Sequence, residues 1–138
     1  MLDNLGNIIW SNIYPGIWQS ECYDIQSTPD GGFIYTGTES NFTTDTDVLL
    51  VKLDGNGVLQ WKKIYGTVEA DQGEFIQQLP DGGFVIAGMS ATQSTSYDMY
   101  VVRTNSSGDL LLSSRIGGNG DDRAFSIATN QDGSHLVT

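Results

Sequence analysis

The tetrapeptide Asp30-Gly31-Gly32-Phe33 returns as Asp81-Gly82-Gly83-Phe84 and, altered, as Asp132-Gly133-Ser134-His135. Both intervals are 51 residues, and other landmarks keep them without a gap. Gly6, Gly57 and Gly108 fall in register, as do Ile25, Ile76 and Ile127. So do Trp10 and Trp61, with Leu112 third, and Tyr14 and Tyr65, with Ile116 third. Gly37 matches Gly88 and Asp47 matches Asp98. About a third of the positions are identical when residues 1–51 are laid on 52–102. A repeat of this period means that one supersecondary unit has been copied, and that each copy buries its faces against the next.

Each copy reads as four strands. In the second, residues 73–79 alternate, and Pro80-Asp81-Gly82-Gly83 makes a tight turn in which one glycine takes positive φ. Residues 84–89 (FVIAGM) are apolar throughout, as in a strand covered on both faces. A polar loop follows over 90–97, then a strand over 98–104. Asn105-Ser106-Ser107-Gly108 turns the chain into a fourth strand over 110–116, whose earlier counterparts are 8–14 and 58–65, and the third copy is expected to supply a first and a second strand over 124–130 and 134–138. No segment keeps a 3.6-residue period, so no helix is predicted. The expected fold is all-β. It consists of β-propeller blades, four-stranded antiparallel units of which the 138 residues hold about 2.7. The repeats occupy 1–51, 52–102 and 103–138, the last incomplete, in a single partial propeller over 1–138. A linear β-meander or sandwich is the structural alternative.

Composition agrees with strands and turns. The chain has 17 glycines, 17 % charged residues and 38 % hydrophobic residues, enough for a packed core and too many for disorder. The net charge of −11 repels phosphate backbones and anionic lipid, which excludes nucleic acid and membrane surfaces as expected partners. A single cysteine, Cys22, excludes an intrachain disulfide and a thiolate metal cluster. Its alternating surroundings predict a small buried hydrophobe. The only histidine is His135, so any His-based mechanism must use it. The first residues carry neither a basic region nor a signal-peptide core.

The motifs Gly117–Ile127 (GGNGDDRAFSI), Asp81-Gly82-Gly83-Phe84, Gly88, Asp98 and Asp54-x-x-Gly57-x-x-x-Trp61 resemble a large group of bacterial and archaeal β-propeller repeat proteins. The resemblance spans essentially the whole chain. A more distant likeness is to quinoprotein-type propeller repeats, whose cofactor residues are not matched here. The resemblance implies a propeller in a secreted or cell-envelope protein, serving as a scaffold or adhesion-like module, and implies no single activity. The first copy departs from the pattern, with Pro15-Gly16-Ile17-Trp18 where the third has Gly117-Gly118-Asn119-Gly120.

Candidate chemistry is sparse. Asp30 and Asp81 recur in every turn, which predicts hydrogen bonds that shape the turn rather than a site. Asp54-Gly55-Asn56-Gly57 lacks the sixth-position glycine and twelfth-position glutamate of a calcium loop, and reads as a hairpin turn. Thr44-Asp45-Thr46-Asp47 and Asn119-Gly120-Asp121-Asp122 suit a hard cation better, although solvated loops are expected at both. Trp10, Trp61, Tyr14 and Tyr65 repeat at matched positions, so they are expected between blades. Trp18 does not repeat. With Phe42 and Tyr97 it is a candidate ligand or partner contact. Asn41-Phe42-Thr43 and Asn105-Ser106-Ser107 match the glycosylation acceptor pattern. No catalytic, cofactor or metal residues are assigned and no cofactor is expected.

The leading functional expectation is a non-enzymatic binding scaffold, with a carbohydrate or a protein as ligand. Two other readings stand beside it: a fragment of a larger secreted propeller enzyme, hydrolase or quinoprotein-like, and a purely structural repeat. The repeat phase leaves exposed blade edges, which recruit partners. Propellers have typically four to eight blades. The expected partner is therefore a second copy, joined head to tail in a ring of roughly five to six blades.

Overall fold

The 51-residue repeat is visible in the backbone. The computed structural model describes residues 1–14, 19–40, 45–92, 96–130 and 134–138. Strands β1 (Ser20–Ser27), β2 (Phe33–Ser40), β3 (Thr46–Leu53) and β4 (Leu59–Tyr65) form one antiparallel sheet in chain order. Strands β5 (Asp71–Gln78), β6 (Phe84–Ala91), β7 (Tyr97–Thr104) and β8 (Leu110–Ile116) form a second. The short β9 (Ile127–Thr129) and β10 (His135–Val137) pair in a third. The described residues hold no helix. These are two propeller-type blades and the first two strands of another.

The turns follow the chemistry of the copies. Gly31 and Gly82 have φ of 81° and 82°, a region that costs a glycine nothing and strains any other residue. Asp30 Oδ1 accepts the Gly32 amide at 3.0 Å, and Asp81 Oδ1 accepts the Gly83 amide at 2.9 Å. A second turn type recurs at Asp3, Asp54 and Asn105. In each, the side-chain Oδ1 accepts the amides two and four residues on. The Asn105 side chain is thus committed to its turn. Lys52 pairs with Asp30 at 2.8 Å and Arg103 pairs with Asp81, so a base on the third strand of each blade steadies the first turn. Lys52 and Arg103 lie one repeat apart and are two of only six basic residues. That spacing is the sequence signal for them.

The bulges repeat as well. β1 pairs β2 with a register shift between Cys22 and Asp24, and β5 pairs β6 with the same shift between Gly73 and Phe75. The bulged strand crowds its neighbour, and glycine makes the room. A Cβ on Gly37 would stand 2.9 Å from Cys22 Cα, and one on Gly88 would stand 2.9 Å from the Gln72 carbonyl carbon.

The core lies between the two blades. Ile34, Val48, Leu50 and Tyr65 of the first pack on Ile76, Phe84, Ile86, Tyr100 and Val102 of the second. At the rim, Trp61 meets Phe84 edge to face, with centroids 6.0 Å apart. The Tyr65 hydroxyl donates to Gly108 O at 2.6 Å. The pair clasps the turn of the next blade, and a Cβ on Gly108 would stand 2.9 Å from the Trp61 ring. Trp10 and Phe33 repeat the ring contact at 6.2 Å, and the Tyr14 hydroxyl reaches Gly57 O at 2.5 Å. Trp61 and Tyr65 lie between blades as expected, whereas Trp10 and Tyr14 make the matching contacts on the first blade from a segment that is not itself a blade.

Two expectations are corrected. Residues 8–14 form no strand, only the isolated bridge from Leu2 to Ile8. They hold the place of an outer strand but have no third strand beside them to complete a ladder. Cys22 is exposed rather than buried. Its counterpart Gly73 is packed under the first blade, whereas among the described residues no blade covers the face on which Cys22 stands.

Candidate functional site

Antiparallel pairing sorts the loops. At one end of each blade lie the repeated tight turns, Thr28–Gly32 with Asp54–Val58 and Leu79–Gly83 with Asn105–Asp109. At the other end lie the segments that differ between copies: the second-to-third strand loops and the crossovers from one blade to the next. A candidate site belongs at this second end, because the scaffold does not dictate its chemistry.

Of the sequence candidates, Tyr97 falls there. Tyr97 opens β7, half-buried, with the Arg123 guanidinium over its ring 4.6 Å from the centroid. Its amide donates to Asp121 Oδ1 at 3.1 Å, and its carbonyl accepts from the Asp122 amide at 2.6 Å. Arg123 and Asp121, also paired at 3.6 Å, bind the loop to the crossover, so the Tyr97 ring serves its own fold first. Trp18 and Phe42 lie outside the described residues.

The acidic segments come together in a way the sequence did not suggest. Asp47 and Asp122 do not meet each other. Each joins a carboxylate from another part of the chain beside a glycine. A Cβ on Gly66 would collide with Asp47 Oδ1 and stand 3.1 Å from Asp71 Oδ2. One on Gly117 would collide with Asp98 Oδ1 and stand 3.0 Å from Asp122 Oδ2. The two places are one repeat apart. Asp71 Oδ2 accepts the Thr67 amide at 2.5 Å, and Asp122 Oδ2 accepts the Gly118 amide at 2.8 Å. Asp71 was missed in the sequence because the first copy has Ser20 in its place.

Across the strands of the second blade, Asp71, Ser90 and Asp98 stand opposite one another and so share a face. Asp71 and Ser90 are 0 % exposed. Asp71 Oδ1, Ser90 Oγ and Asp98 Oδ1 are buried without a hydrogen-bond partner. The first blade answers the same row with Ser20, Glu39 and Asp47. There Lys62 pairs with the buried Glu39. The counterpart of Lys62 in the second blade is Ser113.

Among the described residues no three His, Cys, Asp or Glu side chains gather as a ligand set. His135 Nδ1 lies 3.0 Å from Thr129 Oγ1 on the small sheet. An apolar cavity of about 470 Å3 lies against the outer face of the first blade, lined by Trp10, Tyr14, Cys22, Ile25, Phe33 and Leu49 among others. No protein-family model matches the chain, and no curated protein matches it.

Proposed function

We propose that the chain is a non-enzymatic propeller scaffold that binds a partner through its divergent loops and completes its ring by pairing head to tail with a second copy. One comparison carries the reading. Ile76 is 2 % exposed between the blades, whereas Ile25, the same position on the first blade, is 55 % exposed beside the apolar cavity. The first blade therefore presents the face that the second blade uses to dock. At the other side of the molecule, Leu112 and Ile116 are exposed where Trp61 and Tyr65 make the clasp. The two open surfaces are the two halves of a contact the molecule already makes within itself. Such a heterologous interface closes when the rotation permits.

Association shows in thermal unfolding. A ring of copies gains stability with concentration, so the melting temperature rises from low to high micromolar protein. A midpoint that stays constant over that range contradicts assembly. The display role predicts a hit on glycan or protein arrays that disappears when Phe42 and Tyr97 are replaced by Ser. An array with no loop-dependent hit contradicts it.

A further inference from the structure

The crossover from the first blade to the second brings negative charge into a closed place. Asp71 is wholly buried, and only one of its two oxygens is satisfied, by the Thr67 amide. Its other oxygen and the Ser90 hydroxyl, directly across the strand pair, both lack partners. Asp47 comes to the same glycine from the preceding blade. A buried carboxylate needs a compensating charge. The corresponding row of the first blade has one, the Lys62 ammonium on Glu39. The second blade has Ser113 there instead, and Arg115 sends its guanidinium to Ala91 O, 3.3 Å away.

We propose that a hard divalent cation of the calcium class binds at this crossover, held by Asp47, the free oxygen of Asp71 and the Ser90 hydroxyl. A second, equivalent place lies at Asp98 and Asp122 beside Gly117, where Asp98 Oδ1 is likewise buried and unpartnered. All these donors are oxygens, the set that calcium takes, with main-chain carbonyls and water filling the remaining positions. Glycine at 66 and 117 lets the Asp47 and Asp98 carboxylates come up against the crossover main chain, where a Cβ would collide with them. Two carboxylates per place make the binding weak, in the range of roughly 10⁻⁴ to 10⁻³ M that extracellular modules use. The cation ties one blade to the next at the end opposite the Asp-Gly-Gly turns.

Tyr100 supplies the probe. Its ring is buried in the core between the blades, two residues along β7 from Asp98 and on the same face of the strand. Terbium(III) added to the intact protein and excited through tyrosine should luminesce. Calcium at about 5 mM, above the expected dissociation constant, should displace it and raise the melting temperature. Asp71→Asn should remove roughly half of the luminescence, and Asp71→Asn with Asp122→Asn nearly all of it. Asp54→Asn, at the other end of the blade, should leave the signal unchanged. Circular dichroism identifies variants that fail to fold. For those, Ser90→Ala provides the same reading as a several-fold weaker calcium competition. Luminescence that persists in the double variant would overturn the proposal. So would a wild-type melting temperature indifferent to both calcium and chelator.

Discussion

Trp61 and Leu112 occupy the same position in successive repeats and have opposite surroundings. Trp61 packs on Phe84 and covers the Gly108 turn, while Leu112 is 58 % exposed. Trp61→Ala should cost roughly 3 kcal/mol, the lower range for a large aromatic truncation because the ring is only partly buried. Leu112→Ala in the unassembled chain should cost less than about 0.5 kcal/mol. Chemical denaturation of both variants checks the pair, and equal losses would show that the clasp contributes nothing. Acid tests the turns. The Lys52 ammonium holds the Asp30 carboxyl well below the usual carboxylate range, helped by the Thr28 hydroxyl and the Gly32 amide. A carboxyl depressed in the folded state stabilises above its unfolded pKa, about 3.9, and that contribution is lost as pH falls toward the folded value. Melting temperatures should therefore fall below about pH 4, and Asp30→Asn should flatten that fall.

At the scale of elements, periodicity located the strands because alternation and turn residues are both local signals. The fourth strand of the second copy, 110–116, was read with its observed ends, since Gly108 and the glycine pair at 117–118 bracket it. The third began one residue earlier than expected, at Tyr97, where the ring rests under Arg123. Near the end of the chain the strands were read too long, as 124–130 and 134–138 against the observed Ile127–Thr129 and His135–Val137. Two strands without a third beside them have little to hold their ends. The bulges were illegible, because a bulge depends on a neighbouring strand. Gly37 and Gly88 carried the only trace of them, as matched glycines inside the second strand of each copy. Gly88→Ala should therefore destabilise by about 1–3 kcal/mol, since its methyl would press on the Gln72 main chain. A denaturation midpoint equal to wild type would remove the steric reason for that glycine.

For the whole molecule, the repeat carries both what was legible and what was not. It foretold inter-blade packing of Trp61 and Tyr65, with Trp10 and Tyr14 making the matching contacts on the first blade, because a position kept between copies serves the copies' mutual contact. It hid the carboxylate pairs. Asp71 and Asp122 recur in only two copies, and their partners Asp47 and Asp98 come from strands of the preceding blade. Cys22 was misread for a related reason: burial at that position requires a neighbouring blade, and local alternation says nothing about one. Light scattering on the purified chain tests the central claim, that the open face of one copy receives the open side of another. The account predicts a discrete species of about 30 kDa, twice the 15.0 kDa chain mass, reduced to single chains by Ile25→Glu with the strand content intact. A 15.0 kDa monomer that persists at micromolar concentration and above would contradict it.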